Sequence, residues 1–262
     1  MKRSADLWRF PGTRPVALLV LLFLYMPIAT LVVMSFNEGD SLTIWSGFGL
    51  RWYEVVLGND DMLRAIRNSL MIATVATFAG TTMATMAALA VARGSFRGQR
   101  PVQALLGLPL VVPEIVAAIA LLLLFVMIGF RLGIVSVMVA HTTFTIPLAF
   151  LPIRARLADM DPSLAEAAAD LYANEWQTFR RIILPLIWPG IAAGAMLAFI
   201  ASLGDFVLAF FVSGPGATTL PIYIFGMIRM GITPTVNAIS TLLILASVVL
   251  LSLSYLLGRR FR

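Results

Sequence analysis

Six long apolar runs alternate with shorter, more polar connections along this chain, at residues 16–36, 69–92, 102–128, 134–152, 186–212 and 237–258. A helix rises about 1.5 Å per residue, so each run could cross a hydrocarbon core about 30 Å thick. The pattern predicts an all-α integral membrane protein, with about six transmembrane helices in one domain over 1–262. The third run is interrupted at Pro109-Leu-Val-Val-Pro113-Glu114, where a kink or short unwound turn is expected. Residues 37–68 carry Trp45, Trp52 and Tyr53, an amphipathic set suited to the membrane interface. Residues 213–236 open on Ser213-Gly-Pro-Gly-Ala217, then carry the short apolar stretch Leu220–Ile228, which reads as a re-entrant or interfacial helix.

The connection 154–184 is more than a loop. Asp161-Pro162-Ser163 opens a helix: Asp161 can cap it and Pro162 suits the first turn, while Ser163-x-x-Glu166 offers a capping box one step later. The Ala-rich sequence that follows is strongly helical. A second start comes at Asn174-Glu-Trp-Gln177, with Trp176, Phe179 and Ile182 or Ile183 at helical spacing. Pro185 marks the start of the next span. Glu166 and Asp170 stand four apart on one face and repel each other in isolation. Two readings fit: a solvated connector between spans, or a face that meets a basic partner surface.

Charge sets the orientation. The 19 basic residues against 13 acidic ones would suit a nucleic-acid ligand only if they lined one face, and they fall instead in short clusters between apolar runs. The N-terminus, 93–101, 153–185 and the C-terminus hold 14 of them, among them Lys2, Arg3, Arg9, Arg93, Arg260 and Arg262, and the other side holds five. Basic residues stay on the cytoplasmic side, so both termini are expected there. The first run, about 21 residues long, exceeds a signal-peptide core, and no small-x-small cleavage site follows it, so it reads as a retained helix. With 12% charged residues, about half the share usual in soluble domains, the chain lacks the polar surface of a compact globule.

Candidate chemistry is sparse. Without cysteine there is no thiolate metal site or catalytic thiol. The single histidine, His141, has no zinc-site motif around it and reads as a hydrogen-bonded packing residue. Glu114 and Asp205 fall inside apolar runs, where a lone charge costs about 2.5–3.5 kcal/mol on insertion scales. No Lys or Arg within the runs is there to pair with them. A cationic solute would be a natural partner, with Phe206 and Phe210 offering aromatic faces. The alternative is that the acids are protonated and hydrogen-bonded between helices, or lie near a wet end. A membrane-embedded enzyme would need a fuller catalytic set than this.

Glu166-Ala-Ala-Ala-Asp-Leu-Tyr-Ala173, followed by Ile183-Leu-Pro185, resembles the EAA loop of permease subunits of binding-protein-dependent ABC importers. Arg51-Trp-Tyr, Asn68-Ser-Leu, Phe96-Arg-Gly, Pro109-x-x-x-Pro113-Glu114 and Phe211-Val-Ser-Gly-Pro-Gly-Ala-Thr-Thr-Leu-Pro221 are similar to the spermidine/putrescine branch, second permease of the pair. The resemblance implies that Glu166, Ala167, Ala168, Asp170, Leu171 and Tyr172 couple the chain to a separate ATPase. It also implies a path for a polyamine, with Asp205, Glu114, Phe206 and Phe210 along it. The implied partners are a second permease in a heterodimer, two ATPase subunits, an external solute-binding protein and the bacterial inner-membrane bilayer. ATP and Mg would belong to the ATPase, since the chain has no phosphate-loop motif and no cofactor or catalytic residue of its own is expected. A passive channel subunit, or a permease for another small solute, is the alternative. Tyr172 stands where the family has Gly, so the turn is expected to bend differently, using Asn174.

Overall fold

The computed structural model describes residues 13–92, 96–161, 163–231 and 233–259. The basic residues expected to anchor the topology at Lys2, Arg3, Arg9, Arg93, Arg260 and Arg262 fall outside them, as does Pro162. In chain order the helices are α1 (Thr13–Met34), α2 (Arg51–Leu57), α3 (Asp60–Ala92), α4 (Gln99–Val111), α5 (Glu114–Met127) and α6 (Ile134–Ala158). There follow α7 (Ser163–Asp170), α8 (Glu175–Thr178), α9 (Leu184–Gly204), α10 (Val207–Val212), α11 (Leu220–Met230) and α12 (Pro234–Arg259). Among the described residues no strand forms, and the lone β-bridge joins Asn37 to Phe48.

Among the described residues four helical runs are long and apolar enough to cross a membrane: 14–34, α3, α6 and 175–204. A fifth arises if α4 and α5, bent by 112° at their junction, count together. Each of the pair has 13 or 14 residues, about 20 Å of helix, which is short of a span by itself. A break this sharp goes beyond the expected kink. Val112, which precedes Pro113, is extended at φ −71°, ψ 133°, as the clash of a proline ring with the residue before it demands.

Two compact units divide the chain. The smaller takes residues up to 59 together with 227–245. In it, α1 is apolar and exposed along most of its length. The stretch after α1 is built around buried Asn37, which donates to Ser41 O at 3.0 Å and Ile44 O at 2.9 Å and accepts from Ser46 N at 2.8 Å. Tyr53 bonds Ser35 at 2.7 Å and Trp52 is buried, so of the three expected interfacial aromatics only Trp45 stands exposed.

The larger unit takes 60–226 and the residues from 246 onward. Its centre is α3, α6 and α9, packed on one another. Lipid tails are as apolar as leucine, so helices associate in a bilayer through close contact and hydrogen bonds rather than through area removed from water. The sequence supplies small residues for this: Ala73, Ala76, Ala84 and Ala88 on α3 and Ala140 and Ala149 on α6 are fully buried. A Cβ on Gly194 of α9 would meet the Ala149 carbonyl oxygen at 2.7 Å, too close to exist, so glycine sets that separation. Asn68 and Ser69 tie α3 to the 213–220 turn: Asn68 Nδ2 donates to Gly216 O and Thr218 O at 2.9 and 3.0 Å, and Ser69 Oγ accepts from Leu220 N at 2.8 Å.

Several helices run beyond their apolar stretch. α3 begins at Asp60 rather than 69, its first turn carrying Asp60 and Asp61, acids that suit the positive end of a helix. α6 continues to Ala158, so Arg154 and Arg156 sit on helix rather than in a loop. The fifth run, expected continuous over 186–212, is broken after Gly204.

Candidate functional site: a carboxylate cavity and a polar helix turn

Both helix breaks in the larger unit open on one cavity of about 580 Å³. Its wall takes Val112 and Glu114 from the first break, Gly204, Asp205 and Phe206 from the second, and His141 and Phe144 from α6. Non-helical backbone is tolerated at membrane depth where it is buried in protein or lines a wet cavity, because its freed polar groups need partners. Glu114 is the first residue of α5. Asp205 adopts extended backbone (φ −68°, ψ 123°) after α9, and its Oδ1 accepts from Ala209 N in α10 at 3.2 Å. Glu114 therefore sits at the positive end of α5, while Asp205 lies at the junction between the C-terminus of α9 and the start of α10, where the Ala209 N–H supports its carboxyl.

Glu114 and Asp205 come from separate apolar runs of the sequence. The fold brings them to the same cavity, close enough for the carboxyls to interact. Among the described residues no Lys or Arg lines the cavity, but one histidine does. His141, only 2% exposed, places Nε2 3.7 Å from Asp205 Oδ1, while its Nδ1 bonds Ser202 Oγ at 2.7 Å. Phe206 lines the cavity and its ring lies 5.2 Å from Phe210 and 4.7 Å from Phe225. Phe210 is half exposed and outside the cavity wall. Sequence reading missed the break at Gly204-Asp205. A Gly-Asp pair inside an apolar run is a turn signal, and it was available.

The second candidate region is the segment 161–183. Asp161 caps α7 as expected: its Oδ1 accepts from Ser163 N at 2.9 Å, and bonds from Ser163 hold its carboxyl below the usual range. The capping box at Asn174 forms in both directions, with Gln177 N donating to Asn174 Oδ1 at 2.8 Å and Asn174 N to Gln177 Oε1 at 3.0 Å. The second helix is no separate piece, however. It runs on through a π turn at Phe179–Ile183 into α9 as one rod over 175–204. Pro185 lacks an N–H and crowds the carbonyl four residues back, and the widened turn before it absorbs both.

Tyr172 overturns the expected turn. It takes φ +60°, alone among the described non-glycine residues, so it occupies the left-handed geometry a glycine would use. Ala173 N bonds Ala168 O at 3.0 Å and Tyr172 N bonds Ala169 O at 2.9 Å, the paired bonds of a Schellman helix end. Asn174 is not the bend but the next cap. Glu166, Ala167 and Asp170 are exposed, Leu171 is 81% and Tyr172 96% exposed, and Ala168 is buried against the fold.

Residues 80–262 match the family of binding-protein-dependent transport system inner membrane components. The chain belongs to that family. The permease is 39% identical over 237 residues to the spermidine/putrescine transport system permease protein PotC of Escherichia coli K12, covering 90% of each chain. It is 41% identical over 243 residues to the putrescine transport system permease protein PotI of the same strain, covering 90% of this chain and 86% of that one. Its fold is that of a chain from a bacterial ABC transporter that imports alginate, with a TM-score of 0.75 at 19% identity over 94% of this permease and 93% of that chain.

Proposed function

We propose that this permease forms, with a second permease subunit in a heterodimer, the path of a polyamine such as putrescine or spermidine across the bacterial inner membrane. The observation that carries the reading is the pairing of Glu114 and Asp205 on one cavity at two helix breaks. An ammonium gains most from carboxylates where water is scarce, and the relatives named for polyamine transport share about 40% of the sequence. Phe206 adds a ring beside the acids and Phe210 buttresses it.

Energy comes from two separate ATPase subunits that hold ATP and Mg, and the solute from an external binding protein. Glu166, Ala167, Asp170, Leu171 and Tyr172 form the surface that meets the ATPase, with Ala168 packed beneath it. With the bent α4–α5 pair counted as one span and α12 as the sixth, both termini share a side with the 154–184 connection, and the basic clusters put that side in the cytoplasm. The test is reconstitution with the partner subunits in liposomes: putrescine should stimulate ATP hydrolysis and accumulate inside, whereas a neutral diol of equal length should do neither. Equal responses to both would sink the polyamine reading. Cysteines placed singly at Ser163 and Thr218 should label from opposite sides of the membrane, and labelling from the same side would overturn the topology.

A further inference from the structure

We infer that His141 completes a three-acceptor seat for one primary ammonium, with Glu114 and Asp205 as the other two, and so sets the selectivity of the path. The inference rests on the polyamine reading above and adds to it a residue that sequence placed in packing alone.

His141 is buried, and its Nδ1 is engaged by Ser202 Oγ at 2.7 Å. Its Nε2 is buried too and has no hydrogen-bond partner among the described residues, and the histidine itself lines the cavity. A buried polar atom left unpaired is costly, so it calls for a partner that comes and goes. The 3.7 Å between Nε2 and Asp205 Oδ1 is too long for a hydrogen bond between them. It is short enough that one nitrogen in the cavity could reach both. Oδ1 already takes Ala209 N, which fixes the carboxylate as α10 begins. Glu114, at the first break, lines the same cavity as Asp205 and His141.

An ammonium of the form R–NH3⁺ has three donors and no acceptor, so it is satisfied by three acceptors converging on one point. Ser202 Oγ can accept from Nδ1–H, which leaves Nε2 with a lone pair beside Asp205. Two carboxylates and one imidazole nitrogen then match the three N–H groups. A secondary ammonium has two N–H groups, which the carboxylates alone satisfy, and it gains nothing from Nε2. The seat therefore distinguishes primary from N-methylated amines, which charge alone cannot do.

The test uses the whole complex in liposomes and compares uptake efficiency for putrescine and N,N′-dimethylputrescine. In His141→Asn the amide can keep the bond to Ser202 but no acceptor reaches the Nε2 position. The preference for putrescine should fall about tenfold, the scale of one lost good hydrogen bond. His141→Gln returns an oxygen near that position, and the preference should stay within about twofold of wild type. A merely structural histidine would lower uptake of both amines together, and an unchanged ratio in His141→Asn overturns the inference. Should that variant fail to assemble, the wild-type complex decides. Its uptake ratio, divided by the ratio with which the isolated binding protein binds the two amines, should still exceed about tenfold, and a quotient near one overturns the seat. If the wild type takes up neither diamine, the polyamine reading itself fails, which is a different result from an unchanged ratio.

Discussion

The 161–183 segment and the carboxylate cavity both interrupt regular helix, and they do so with partners at opposite distances along the chain. At the segment, every interruption is held by residues within five positions: Asp161 with Ser163, Asn174 with Gln177, Ala173 with Ala168. At the cavity, the parts come from afar, with His141 bonding Ser202 and Glu114 meeting Asp205. Local partners can be read from a short window of sequence and distant ones cannot. Caps and turns give the first region its shape without the rest of the protein. The second exists only once α5, α6 and α9 are in place.

That difference governs what the sequence made legible. The membrane class, the positions of most long helices and both caps of the segment follow from hydropathy and from side chains that bond their own neighbours. Hidden were the features decided by packing. Only Asp60 and Asp61, acids suited to a first turn, mark the start of α3, although Met62 beside them is already buried. Nothing local says that Glu114 and Asp205 share a cavity, or that His141 brings its Nε2 to 3.7 Å from Asp205. Tyr172 is a different kind of miss. Its residue type argues against a left-handed turn, and the two helix-end hydrogen bonds outweigh that preference.

The largest expected effect tests the cavity. Asp205→Asn keeps shape and an acceptor for Ala209 N while removing the charge. Putrescine uptake should drop by about tenfold or more, since one charge pair in a low-dielectric site is worth at least about 1.4 kcal/mol. Wild-type uptake across substrate concentrations would make Asp205 a helix cap and nothing else.

A somewhat smaller effect tests the exposed face of α7. Glu166→Lys reverses a charge that stands free in solvent, so the permease should still fold and insert. Its copurification with the ATPase should weaken several-fold, within the 1–3 kcal/mol range of a lost charge-assisted bond. Retained association and transport would remove Glu166 from the contact.

Smaller again is the local cap. Asn174→Ala deletes the acceptor for Gln177 N and should destabilise the start of the 175–204 rod by about 1 kcal/mol. Hydrogen exchange would register it as faster exchange at Gln177 and Thr178, with α3 and the cavity helices unchanged. Loss of protection reaching α3 would show that this segment is not locally held, and the contrast with the cavity would collapse.

The smallest effect is the most discriminating. A non-glycine residue in the left-handed region carries a cost of about 1–2 kcal/mol, and glycine removes it while adding some flexibility to the unfolded chain. Tyr172→Gly should therefore stabilise the end of α7 by a net ~0.5 kcal/mol, read as slower exchange at Ala173 N, which bonds Ala168 O. A tyrosine present only for local structure would then leave coupling unchanged or improved. Its ring is 96% exposed, however, and it does nothing for the fold that the glycine would not do better. If the strain persists because the ring fills a pocket on the ATPase, the same variant should bind the ATPase more weakly although its turn is firmer. Stability and association would then move in opposite directions, which backbone strain alone cannot produce. Movement of both in the same direction would make the segment self-contained at this position too, with Tyr172 adding no contact.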